Sequence, residues 1–206
     1  MATRIEHVVT SGTFSIDGED FDVDNNIWLV GDDTEVLVID AAHDAAPIAE
    51  AVGRRTTRAI VCTHGHNDHI NAAVDLAHRL GAPILLHPDD TMLWEAVHPD
   101  RPVDGALADG QVLEVAGIEL RVLHTPGHSP GGCCLHHEAG GVLFSGDTLF
   151  NGGPGATGRS FSDRATLVAS IRARLLDLPA ETVVHTGHGL DTTIGAEAPG
   201  IRAEAG

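Results

Sequence analysis

The stretch Arg58–His69, RAIVCTHGHNDH, decides how the chain is read. Its first half, with the unbroken run Ile60-Val61-Cys62, predicts a buried strand. Its second half places three histidines and one aspartate within the six residues His64–His69. The residues that follow, HINAAVDLAHRLG, have helical spacing through Ile70, Ala73, Val74, Ala77 and Leu80, and a stop signal in Gly81. A strand therefore delivers imidazoles and a carboxylate straight into the start of a helix. A chance run of surface histidines is not framed by IVCT on one side and an amphipathic helix on the other.

Imidazole nitrogens and carboxylate oxygens are natural donors for zinc, iron or manganese. His64 and His66, two apart in extended chain, project to the same side. Asp68 and His69 follow where the chain turns into the helix, and so point to a neighbouring position. Gly65 is read as the point where the backbone comes close to a metal. The spacing serves two adjacent metals better than one. Three other strand ends supply candidate donors: His128 in HTPGHSPGG, Asp147 in LFSGDTLF and His188 in VVHTGHG. Each lies in a glycine-containing loop, and loops at one edge of a rigid sheet are where scaffolds hold catalytic groups. His7, His43, His78, His87, His98, His124, His136, His137 and His185 are read as surface or satisfied core residues. Asp40, ending the strand VLVI, either hydrogen-bonds a ligand histidine or is a plain turn residue.

Outward from this centre, HVVTSGTFSI, NNIWLVGD and EVLVIDAA predict a three-stranded meander, and AAPIAEAVGRR a helix. PILLHP predicts a strand, and DTMLWEAV a helix capped by Asp90. QVLEVAG, IELRVLHT, GGCCLHH and GVLFSGDTLF form a second run of strands. A glycine-rich loop, NGGPGATGRSFSD, leads to the strongest helix, with Ala165, Val168, Ile171, Leu175 and Leu178 on one stripe. A last strand ends in the GHG loop, with a short tail after it. The two halves are alike in kind. The order fits an α/β fold of two sheets packed face to face with helices outside, an αββα (αβ/βα) four-layer sandwich. No linker or shift in composition breaks the chain, so residues 1–206 are expected to form a single domain.

Acidic residues outnumber basic ones by 30 to 12, a formal charge of −18, which excludes a phosphate-neutralising surface for nucleic acid and disfavours anionic membranes. All 12 basic residues are arginine, so Schiff-base chemistry and a P-loop lysine are excluded. No run of about 18 apolar residues is present. The N-terminus, MATRIEHVVTSG, carries Arg4 and Glu6 where a secretory signal needs apolar residues. Cys62, Cys133 and Cys134 form no disulfide framework, and a cytoplasmic location is expected. Adjacent Cys133 and Cys134 would face opposite sides of a strand.

HGHNDH, TPGHSPG, SGDTLF and TGHG, in this order, resemble the metallo-β-lactamase superfamily, and the resemblance spans nearly the whole chain. It implies that His64, His66 and His128 bind a first divalent metal. It implies that Asp68, His69 and His188 bind a second, with Asp147 bridging. The metals would be zinc, or iron or manganese. Asp68 would also orient a metal-bridging hydroxide, available near neutral pH because a metal brings the pKa of bound water to roughly 7. True β-lactamases resemble the pattern as far as His128 but have Cys or Ser in place of Asp147. Quorum-signal lactonases use a tyrosine, and this chain has none. Flavo-diiron proteins have Glu where His66 stands. The chain is most similar to the short glyoxalase II-like (hydroxyacylglutathione hydrolase-like) members, which cleave thioesters of low-molecular-weight thiols. The expected partner is such a small-molecule thiol conjugate, with Arg159 the cation placed to meet it. Full-length glyoxalase II binds glutathione partly through Lys and Tyr, which this chain lacks. The alternative is a persulfide dioxygenase of the same fold. It would hold one iron on His66 or its neighbour His64, with His128 and Asp147.

Overall fold

A computed structural model describes residues 3–204. Two long strands, β1 (Arg4–Ile16) and β2 (Glu19–Gly31), pair in unbroken antiparallel register from Arg4 opposite Gly31 to Ile16 opposite Glu19. The turn between them is Asp17-Gly18, both at positive φ (53° and 80°), which suits the twist of a two-residue hairpin. β2 starts six residues earlier than the hydrophobic pattern of the sequence suggested, because Glu19, Asp20, Asp22 and Asp24 interrupt that pattern.

The chain continues through β3 (Glu35–Ile39), α1 (Ala45–Val52), β4 (Thr56–Val61), α2 (Asn67–Ile70), α3 (Ala73–Leu80) and β5 (Ile84–Leu86). A 3-10 turn (Pro88–Asp90), α4 (Thr91–Val97) and β6 (Gly105–Ala106) complete the first half. The second half comprises β7 (Val112–Val115), β8 (Ile118–His124), β9 (Cys133–His137), β10 (Val142–Gly146), β11 (Leu149–Phe150) and β12 (Gly153–Pro154). It ends with α5 (Arg164–Arg174), β13 (Val183–Thr186), β14 (Thr192–Thr193) and α6 (Ile194–Ala203).

One sheet has the order β1-β2-β3-β4-β5-β6 and the other β14-β13-β10-β9-β8-β7. The alternation of side chains along the strands sorts the apolar residues into layers. Ile27 and Leu29 of β2 pack outward with Ile48, Leu76 and Trp94 of the first helices. Trp28 and Val30 pack inward with Leu120, Val122, Leu135 and Phe144 of the second sheet. On the far side, Cys134, Leu143 and Val184 meet Leu167 and Ile171 of α5 and Ile201 of α6. Cys133 lies between the sheets and Cys134 under the outer helices, each on its own face. The molecule is an αββα sandwich. Among the described residues no helix is long and apolar enough to cross a membrane.

Four local expectations need correction. The helix after the histidine cluster is two helices, α2 and α3, breaking at Asn71-Ala72. Asp90 does not cap α4; its carboxylate bonds the backbone of two distant loops. On α5 the buried face is Leu167, Val168 and Ile171, while Ala165 is exposed. The tail is β14 and α6, whose Thr193 side chain caps the helix by accepting from the Ala196 N–H at 3.2 Å.

Candidate metal centre

The parallel pairs β3–β4 and β10–β13 bring their C-terminal ends to one edge of the sandwich. Asp40 follows β3, the 63–69 stretch follows β4, Asp147 follows β10 and His188 follows β13. The β8–β9 connection brings His128 to the same edge. All seven sequence-derived donors therefore meet, although they span 125 positions (64 to 188).

Two clusters result. His64 Nε2 lies 3.0 Å from His66 Nδ1, which lies 2.9 Å from His128 Nε2. Nearby, His69 Nε2 is 3.2 Å from His188 Nε2, and Asp68 Oδ2 is 3.6 Å and 3.3 Å from these two. Asp147 reaches both: Oδ1 is 3.3 Å from His69 Nε2, while Oδ2 is 3.5 Å from His128 Nε2 and from His188 Nε2. A tetrahedral ion with bonds of 2.0–2.1 Å has donors separated by about 3.3 Å. The clusters have the spacing of cation sites.

The outer atoms of the rings explain which nitrogen faces inward. His69 Nδ1 bonds Asp40 Oδ2 at 2.8 Å, His128 Nδ1 the Ala156 carbonyl at 2.8 Å, and His188 Nδ1 the Asp24 carbonyl at 2.7 Å. His64 Nδ1 meets the Thr63 hydroxyl at 3.1 Å. In each ring the proton on Nδ1 leaves the Nε2 lone pair for the cluster, the usual support of a histidine ligand. Asp40, held at φ 62°, also accepts the Thr63 N–H at 2.7 Å, so it fixes the start of the loop as well as His69. His66 Nε2 and Asp68 Oδ1 are buried without a hydrogen-bond partner.

The electrostatics differ between the clusters. Burial pushes His64 well below the usual imidazole range and His66 down to about 3, so both are neutral donors. At the second cluster burial acts the same way but is outweighed. Asp147, Asp68 and Asp40 hold His69 well above its ordinary value, and Asp147 with Asp68 raises His188 to about 10. Burial opposes ionisation of Asp147, yet His69 and His188 hold it well below the carboxylate range. The second cluster is a field that calls for positive charge. A divalent ion meets that demand, and neutral imidazoles beside it fit a second ion.

His66, Asp68, His128, Asp147 and His188 floor an open cleft of about 460 Å³, walled by Phe14, Val23, Phe150 and Ala156. Phe14 comes from the hairpin arm and sits 5.4 Å from the His66 ring. Asn67 of the histidine stretch pins that arm. Its side chain accepts the Ser15 N–H at 2.9 Å and donates to the Thr13 carbonyl at 3.0 Å.

Arg159 lies elsewhere: it pairs with Glu19, stacks 5.5 Å over the Phe21 ring, and does not line the cleft. Gly65 has a different reason from the one read in the sequence. A Cβ there would stand 2.8 Å from Leu93 Cβ and 3.0 Å from Asp90 Cβ, so the glycine admits the α4 region. His43, read as a surface or satisfied core residue, is partly buried, and its Nε2 donates to Asn25 Oδ1 at 2.8 Å. Asn25 is the residue the sequence reading missed. Fully buried, it donates from Nδ2 to Asp68 Oδ2 at 3.2 Å. Its signal was visible: two adjacent asparagines at the head of the apolar run Ile27–Val30 go against strand preference. Asn26 ties β2 to the His188 loop through the Thr186 and Gly189 carbonyls, at 3.1 and 3.0 Å.

Comparison with known proteins adds to this geometry. Residues 21–188 match the family model described as the metallo-beta-lactamase superfamily. The hydroxyacylglutathione hydrolase GloC of Haemophilus influenzae is 33% identical over 189 residues, covering 84% of this chain and 89% of that protein. The crystal structure of TTHA1623 in a di-iron-bound form is 34% identical, with a TM-score of 0.76 over 90% of this chain and 96% of that one. The crystal structure of the BLEG-1 B3 metallo-beta-lactamase is 30% identical, with a TM-score of 0.78 over 92% and 97%.

Proposed function

The chain belongs to the metallo-beta-lactamase superfamily of metal-dependent hydrolases, and on that premise we propose that it is a binuclear thioester hydrolase acting on a conjugate of a low-molecular-weight thiol. The observation that carries this reading is the meeting of His64, His66 and His128 with Asp68, His69 and His188 across Asp147, beneath an apolar cleft. His64, His66 and His128 would hold one metal, Asp68, His69 and His188 the other, and Asp147 would serve both. Zinc fits the nitrogen-rich donor set, and iron or manganese fits it too. When bound, such a pair supplies Lewis acidity that makes a water nucleophilic at neutral pH.

The chain's own groups do the rest. Asp68 would hold metal through Oδ2 and take up the proton of the attacking water at Oδ1, its buried oxygen without a partner. Asn25 fixes the Asp68 carboxylate while this happens. Phe14, Val23 and Phe150 offer the acyl group an apolar wall.

The leaving group decides between substrate classes. Apart from Asp24, the ionisable side chains lining the cleft all belong to the donor set. A group that departs without being handed a proton suits such a site. A thiolate, with a parent pKa near 8.5, is one; the amine of an opened β-lactam is not. The likeness to GloC points the same way.

A substrate panel tests the reading. Acyl thioesters of small thiols are expected to turn over, with matched oxygen esters and β-lactams far slower, and a chelator should abolish all activity. Oxygen uptake on a persulfide without thioester turnover would instead assign the dioxygenase chemistry.

A further inference from the structure

We propose that Asp90 is the positioning residue of the first metal position, clamping the loop that carries His64 and His66 to the loop that carries His128. This rests on the two-metal reading above.

Asp90 ends the 3-10 turn before α4 and is fully buried. Its Oδ2 accepts the Gly65 N–H at 2.7 Å and the Ser129 hydroxyl at 2.7 Å. Its Oδ1 accepts the Gly131 N–H at 2.6 Å. All three partners donate, so the acceptor-only carboxylate satisfies each of them.

Gly65 lies between His64 and His66, and Ser129 directly follows His128. One oxygen thus receives a bond from each loop. That fixes the loops' separation, and with it the 2.9 Å approach of His66 Nδ1 to His128 Nε2. The packing is made for this carboxylate. A Cβ on Gly131 would stand 2.8 Å from Asp90 Cγ, and one on Gly65 would stand 3.0 Å from Asp90 Cβ.

Asp40 offers a contrast, since it bonds His69 Nδ1 directly and reaches His64 only through Thr63, whose hydroxyl donates to Asp40 Oδ2 at 3.0 Å and meets His64 Nδ1 at 3.1 Å. Asp40 therefore supports both positions, and the bonds of Asp90 serve the first alone.

Asp90→Asn is nearly isosteric but puts an NH2 where only acceptors are wanted, so at least one bond is lost whichever way the amide turns. The experiment is zinc affinity by chelator competition on the full chain. His66→Ala and His188→Ala serve as references, to assign the binding steps to the first and second positions. Asp90→Asn should weaken the step that His66→Ala abolishes by about 10- to 100-fold and leave the other within about twofold. Ser129→Ala should move the same step by less. Asp40→Asn should most move the step that His188→Ala abolishes, since Asp40 bonds His69 directly and His64 only through Thr63.

Two unchanged steps in Asp90→Asn, or equal weakening of both, would overturn the proposal. If circular dichroism shows that Asp90→Asn does not fold, Ser129→Ala decides, and an unmoved first step overturns it. Wild-type protein that binds no zinc would remove the two-metal reading and this inference together. Wild-type protein that binds two, with variants unaffected, would remove only the role of Asp90.

Discussion

His64, His66 and His128 form one wall of the centre, and Asp68, His69 and His188 the other, with Asp147 between them. The first wall consists of imidazoles whose outer partners, where they have them, are neutral: the Thr63 hydroxyl and the Ala156 carbonyl. Burial, helped by neighbouring imidazoles, makes His64 and His66 neutral donors. The second wall is ringed by Asp40, Asp68 and Asp147, and its histidines are pulled toward the charged form despite the same burial. Desolvation favours neutral groups, and a buried carboxylate needs a nearby cation. Adjacent positions of similar spacing therefore rest on different physics. One depends on loops being held in place, the other on charges being balanced.

Substitutions probe that difference, beginning with the residue common to both walls. Asp147→Ala should lower kcat by about 10²- to 10³-fold or more and reduce metal content at both positions, read by kinetics and metal analysis. Retention of full activity would show that the positions do not share a donor. His66→Ala and His188→Ala should each remove one metal per chain and most of the activity. If either removed both metals, the walls would be a single cooperative unit.

Asn25→Ala should act more weakly, lowering kcat about tenfold with KM and metal content little changed, because it supports Asp68 without reaching substrate. Loss of the second metal in this variant would move Asn25 from support to ligand. Arg159→Ala should have the smallest effect, leaving kcat/KM within about threefold, since exposed ion pairs contribute little. A rise in KM alone, by more than that, would return Arg159 to substrate binding.

What the sequence disclosed follows the same division. Four of the seven candidate donors were legible because their spacing is local: strand, loop and helix fix where His64, His66, Asp68 and His69 point. His128, Asp147 and His188 were legible as strand-end loops rich in turn residues. The sandwich was legible because apolar alternation marks the strands. The bracing was not. Asp90 reads locally as a helix cap, and only the folded chain shows its carboxylate meeting Gly65 and Gly131, 25 and 41 positions away. Gly65 was legible as a tight spot, but what crowds it belongs to another segment. The last helix was missed because Pro199 and glycines at 195 and 200 weaken its pattern, while tertiary packing of Ile194 and Ile201 sustains it. Arg159 was placed by its neighbourhood in sequence, but Glu19 and Phe21 of the distant hairpin hold it.

The most direct test of the two-position centre is metal content per chain by plasma mass spectrometry, on protein expressed without added metal. The account predicts about two divalent ions per chain, falling to one in His66→Ala and in His188→Ala. A single ion in the wild type, unaffected by His188→Ala, would contradict it.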